Sequence, residues 1–206
     1  MEFLKQWTPK VLFVGYLVLF TLLAIHPYDR SVWWAENVPI FLIFSGIVIL
    51  YIKQVRFSPL AYVLMFCLLY MHTIGGFYTF ERVPFDWFNH FFGFERNMYD
   101  RVGHFTVGFY AYAFLEYLWY KTTTPKALAV LFSICLIATV AVSYEWIEWW
   151  YAAQYGGSAG AAFLGSQGDI WDAQKDMLMD TLGAVVVAVL FLVVHRKKTP
   201  AALRSS

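Results

Sequence analysis

Six stretches of this 206-residue chain are too long and too apolar for a water-soluble fold to hide, at about 10–26, 36–53, 58–75, 102–120, 126–150 and 177–195. Each is about 17–25 residues long, the length an α-helix needs to cross a hydrocarbon layer roughly 30 Å thick. Lipid offers no hydrogen-bond partners to the backbone, so runs of this length cross it as helices. The expected fold is all-α: an integral membrane bundle of about six transmembrane helices. Residues 1–198 are expected to form a single transmembrane domain, and 199–206 a short cytoplasmic tail. Only 14% of the residues are charged, against about 25% in soluble domains. The net charge of +1 leaves no basic patch for nucleic acid. Cys67 and Cys135 both fall inside apolar runs and are expected to be buried small hydrophobes rather than a disulfide.

The loops give an orientation. Lys5 and Lys10, Lys53 and Arg56, Lys121 and Lys126, and Arg196, Lys197, Lys198 and Arg204 fall on one side, ten of the fifteen basic residues. By the positive-inside rule that side, with both termini, is cytoplasmic. The apolar run after Lys5 and Lys10 meets His26-Pro27-Tyr28-Asp29 and no small-residue cleavage pattern, so it reads as a retained first helix. Glu36-Asn37 with Pro39 reads as the start of the second. Residues 76–101 are dense in aromatics and suit a segment lying in the interface. Residues 151–168, with Gly156, Gly157, Gly160, Gly165 and Gly168, read as a flexible outer loop.

Ionisable residues gather at the outer ends of the runs: His72, Asp100, His104, Glu145, Glu148, Asp169, Asp172, Asp176 and Asp180, with His26 at the same level. Charge is costly there and calls for pairing, water or a function. Asp100 and His104, four apart, share a helix face, as do Glu145 and Glu148, three apart. On a regular helix Asp169, Asp172, Asp176, Asp180 and Gly183 share an arc of roughly 80°. Carboxylates stacked on one face need a countercharge, for which a bound cation, Lys175 or Arg101 would serve. The functional expectation is a divalent metal site (Zn, Mn or Mg) with Asp100, His104, Asp172, Asp176 and Asp180 as ligands. Glu145 and Glu148 would be the acid/base carboxylates, and Arg101 and His72 would hold substrate. The plainer alternatives are specific: Asp169 and Asp172 as helix caps, His104 with Asp100 as a tie at a helix end, and Glu145 and Glu148 in a wet interfacial turn. Capping does not account for Asp176 and Asp180, which lie deeper. His26 and His90 read as interfacial, Glu116 as structural, and His195 as an interfacial end.

Tyr99-Asp100-Arg101-Val102-Gly103-His104-Phe105, Glu145-Trp-Ile-Glu148, and Gly168-Asp169-Ile-Trp-Asp172 through Asp176 to Asp180-Thr-Leu-Gly183 resemble the YjdF-like family of bacterial inner-membrane proteins, a domain of unknown function. The resemblance covers nearly the whole chain. It implies a multi-pass protein of the bacterial cell inner membrane and no established activity. In the last third, Glu145 or Glu148 followed by Asp169-x-x-Asp172 and Asp180-Thr-Leu-Gly183-Ala184 is similar to the VanZ-like membrane proteins. This chain departs from that pattern in having Asp180 where Asn is usual and in lacking an Arg before Asp169. The similarity implies that runs five and six pair, without supplying a reaction.

Three functions compete. A metal-dependent hydrolase or transferase acting on a lipid or lipid-linked substrate explains why acids, imidazoles and aromatics converge at one depth. An ion or small-solute transporter would place charge near the midplane on broken helices, whereas the cytoplasmic halves here are almost wholly apolar. A non-catalytic assembly or lipid-binding protein needs only the aromatic outer surface. Membrane lipids are the expected partners in all three.

Overall fold

Asp29 decides where the second helix starts. Its backbone is extended, and its carboxylate accepts from the N–H groups of Ser31 (2.8 Å) and Val32 (3.0 Å), satisfying two otherwise orphaned donors. In the computed structural model, which describes residues 2–156 and 166–196, this helix therefore begins six residues before the expected Glu36 and carries Pro39 inside it. Gly157, Gly160 and Gly165 of the expected outer loop, and the tail with Lys197, Lys198 and Arg204, lie outside the described residues.

The described residues are helical, without strands. They divide into two compact units, Met1–Gly103 and His104–Ser206. The first contains α1 (Glu2–Leu23), α2 (Arg30–Ile52), α3 (Pro59–Tyr78) and the short α4 (Asp86–Phe92). Ser58 caps α3 by accepting from the Ala61 N–H (3.2 Å), and Pro59 occupies the first turn, where its missing N–H costs nothing. α3 packs against both α1 and α2 and is the most buried of the three. Polar ties fix its register: the Tyr16 and Thr73 hydroxyls are hydrogen-bonded at 3.1 Å, and the Tyr70 hydroxyl donates to the Leu12 carbonyl at 3.1 Å. α4 leaves Trp87, Phe91 and Phe92 exposed, as an interfacial aromatic segment requires.

α5 (Tyr99–Val107) carries the boundary between the units. The second unit continues with α6 (Tyr110–Lys121), α7 (Lys126–Tyr151) and α8 (Asp172–Val194). α7 and α8 are antiparallel: at one end the Lys126 ammonium donates to the His195 carbonyl (3.3 Å), placing a cation on the negative end of α8. α7 packs with a strict four-residue stripe of Ala129, Ser133, Ile137, Ala141 and Glu145. Cys135 faces away from that stripe and is exposed, not buried as expected; Cys67 is half-buried, and both are free thiols.

Among the described residues, five helices are long and apolar enough to cross a membrane: Phe3–Leu23, Arg30–Ile52, Pro59–Tyr78, Lys126–Gln154 and Asp172–Val194. Their outward faces display residues such as Leu42, Ile52, Leu131, Phe132 and Val189, which lipid accommodates and water would not. The fourth apolar run, expected as one helix over 102–120, is divided into α5 and α6 at Gly108-Phe109. There the backbone tightens to three-residue hydrogen bonds, Phe109 to Thr106 (3.1 Å), Ala111 to Gly108 (3.0 Å) and Tyr112 to Phe109 (3.1 Å).

The cause is contact with α8. A Cβ on Gly108 would collide with the backbone of Asp180, Gly183 and Ala184, and one on Gly183 would collide with the Phe105 carbonyl and lie 3.2 Å from the Gly108 Cα. Two glycines back to back thus let main chain touch main chain. Gly183→Ala and Gly108→Ala are each expected to destabilise the protein by about 1–3 kcal/mol, read as a lowered Tm in detergent. Gly46→Ala, with nothing within 4 Å of the added carbon, should leave Tm unchanged or raise it.

Candidate functional site

On α8 the four-residue spacing of Asp172, Asp176 and Asp180 puts three carboxylates on the buried stripe that continues through Gly183, Ala184, Val187, Ala188 and Phe191. Asp180 is 2% exposed and Asp176 5%, so both are withdrawn from solvent along with the helix face. Asp169, expected on the same arc, is not on it. Gln167 and Gly168 adopt left-handed backbone, and the helix begins only at Asp172. Asp169 instead accepts from the Trp171 N–H (3.1 Å) and pairs with Lys175 at 2.7 Å. It is not the N-cap; Trp171 is, without a side-chain bond. Asp172 accepts from the Ser166 N–H at 3.0 Å.

Opposite this stripe stands His104 of α5. Its Nδ1 lies 3.2 Å from Asp180 Oδ1 and its Nε2 3.6 Å from Asp176 Oδ1. One imidazole thus meets two carboxylates a helical turn apart, one with each ring nitrogen. The glycine contact dictates this: His104 precedes Gly108 by four residues, and Asp180 precedes Gly183 by three, so the crossing brings their side chains together.

Glu145 ends the packing stripe of α7 and is buried, while Glu148 is half-buried and off that stripe. Glu145 lies nineteen residues from Lys126, and Asp176 nineteen from His195. Because α7 and α8 are aligned at Lys126 and His195, both acids stand about 28 Å from that common end, at the same height.

Donor chemistry in the second unit suits a divalent ion: one imidazole with neighbouring carboxylates is a mixed nitrogen–oxygen set of the zinc and manganese type. Nε2 and Asp176 Oδ1 are spaced as two ligands sharing an ion would be, while Nδ1 against Asp180 reproduces the carboxylate–imidazole pairing that orients metal-bound histidines.

The remaining expected residues belong to the first unit. Asp100, one turn before His104 on α5, has its carboxylate 3.8 Å from Arg101 Nη1, and Arg101 is buried. His72 Nε2 lies 3.0 Å from the Glu36 carbonyl and 3.1 Å from Glu36 Oε2. Glu36 escaped the sequence reading because beside Pro39 it resembled a helix start, whereas the helix that carries it begins at Arg30. His195, expected at the interface, is buried and stacked on Phe191 with ring centroids 4.1 Å apart. Glu116 is buried too. His26 and His90 are exposed.

Residues 8–197 match the family described as "Predicted membrane protein (DUF2238)". The chain belongs to that family. It is 32% identical over 174 residues to the inner membrane protein YjdF of Escherichia coli (strain K12), an alignment covering 83% of this chain and 82% of that protein. No solved structure matches it. With its apolar helices, the chain is a multi-pass protein of the inner membrane.

His104 and Asp180 should be energetically coupled. His104→Ala and Asp180→Ala are each expected to lower Tm, and the double variant to lose less than the sum, with a coupling of about 0.5–3 kcal/mol. Additive losses would show that the pair does not interact.

Proposed function

We propose that the protein is a metal-dependent hydrolase or transferase acting on a lipid or lipid-linked substrate at the outer leaflet. The observation that carries this reading is the single imidazole of His104 set between Asp176 and Asp180, at the height of a third buried acid, Glu145. His104 Nε2 and Asp176 would hold the ion, with Asp172 one turn further along the same stripe. Asp180 would orient the imidazole through Nδ1 and stabilise its tautomer. When bound, such an ion polarises an ester or phosphoester and lowers the pKa of a water ligand. Glu145, rather than Glu148, would take and return the proton, since it continues the buried packing face of α7.

The level of the site suits the substrate class. With the Lys- and Arg-rich ends taken as cytoplasmic, a height of about 28 Å above Lys126 is near the far edge of the hydrocarbon layer. A lipid headgroup sits there, and its chains can leave between helices. Lys175 does not neutralise the stripe, because its ammonium is held by Asp169.

A transport reading draws on one observation, the buried Glu116 and His195 in the second unit. The α8 face between Asp180 and His195, however, is Gly183, Ala184, Val187, Ala188 and Phe191, which offers an ion no polar step.

Elemental analysis of the purified protein is expected to find about one divalent ion per chain. His104→Ala and Asp176→Ala should lose it without loss of helicity, and Glu145→Gln should keep it. Metal retained in both alanine variants would refute the ligand assignment. A cation flux in proteoliposomes that depends on Asp180 would replace the enzyme by a carrier.

A further inference from the structure

Two consecutive residues at the end of α3 hold a backbone that neither side chain favours. Thr79 and Phe80 are both left-handed, at φ 62° and 52°. A helix that ends in this way usually has one such residue, and that residue is usually glycine, because a Cβ crowds the following carbonyl. Here the first is β-branched and the second aromatic, for which the conformation is an outlier. The N–H groups of both donate to the Gly75 carbonyl, that of Phe80 at 2.8 Å. One left-handed residue completes a helix cap, so capping does not account for the second.

What the second achieves is the placement of the Phe80 ring. A Cβ on Gly75 would collide with that ring, and one on Gly103 would lie 4.0 Å from it. The ring meets the His72 imidazole edge to face, with centroids 5.1 Å apart and planes at 73°, and lies 6.5 Å from the Tyr99 ring. His72 in turn faces Glu36, with Nε2 3.1 Å from its carboxylate and only 16% of the imidazole side chain exposed. Phe80 itself is half-buried, so part of the ring stays at the surface. The fastening around it is light. Arg82 donates to the Thr79 hydroxyl at 2.9 Å, pairs with Glu81 and lies over the Tyr28 ring at 4.5 Å. Arg82 and Glu81 are exposed, where such pairs contribute little. Firmer anchorage follows, where Asn97 Nδ2 donates to the carbonyls of Glu81 (3.0 Å) and Val83 (2.8 Å).

We propose that Phe80 is a latch over the His72–Glu36 pair, seated on Gly75 against the strain of its own backbone and released to open the imidazole to small molecules. Ring contacts favour the seated state, and relaxation of Thr79 and Phe80 to ordinary backbone favours the released one. Gly75 is the seat: without a side chain it leaves the space that the ring fills. The latch governs access to the first unit and does not depend on the metal reading of the second.

The test is the rate at which diethyl pyrocarbonate modifies each histidine of the full-length chain in detergent, read by mass spectrometry. The exposed His26 and His90 are fast references, and the buried His195 is the slow one. In the native chain His72 is expected to react more slowly than His90. Phe80→Ala should speed His72 about tenfold or more and leave the references unchanged. Thr79→Asn, which tolerates left-handed backbone and keeps an oxygen for Arg82, should instead slow it about threefold or more. A ring that never leaves its seat would not give that slowing, because it has no opening to suppress. An unchanged His72 rate in Phe80→Ala, or an unchanged or faster rate in Thr79→Asn, would overturn the proposal. Should Phe80→Ala not fold, as a faster His195 would reveal, Gly75→Ala takes its place. The added carbon unseats the ring, so His72 must again react about tenfold faster, and an unchanged rate refutes the latch.

Discussion

Main chain meets main chain where Gly108 faces Gly183, and the polar chemistry of the second unit depends on that contact. Helices in lipid gain little from burying apolar surface against one another, because lipid tails are as apolar as leucine. What holds them is close packing, and close packing needs positions without side chains. Here it also tightens the backbone between α5 and α6. The tightening dictates the direction from which His104 approaches α8, and hence that its ring lies between Asp176 and Asp180 instead of beside them.

The aspartates could not stand as they do without such a partner. Three carboxylates spaced by one helical turn and buried on one face repel one another where the dielectric is low. The His104 imidazole relieves part of this at Asp176 and Asp180. The first unit meets the same difficulty differently, with one acid, one imidazole and one buried amide around Gly76. In both units a glycine lets helices approach closely, and a histidine meets a carboxylate from another helix.

Much of this was legible in the residues. Runs of span length predicted the helices, and five of the six are continuous as expected. The stripe of Asp172, Asp176 and Asp180 and the small residue at Gly183 were readable from helical periodicity alone. Asp169 was not, because periodicity does not say where a helix begins, and left-handed backbone at Gln167 and Gly168 breaks the extrapolation. The start of α2 was misplaced for a similar reason. Pro39 is tolerated inside the helix, and the decisive cap lies at Asp29. Cys135 shows the limit of reading burial from hydrophobicity: in a membrane protein the outside is as apolar as the inside.

The sequence by itself determined that this chain lives in a membrane, that it is helical, and that one face of its last helix is acidic. Those properties follow from composition and local period, which need no knowledge of neighbours. Only the tertiary structure decided that His104 bridges Asp176 and Asp180, that Glu145 rather than Glu148 continues the buried face of α7, and that His72 belongs with Glu36. Partners distant in the chain are chosen by which backbones can approach closely, and glycine positions set that approach in three dimensions.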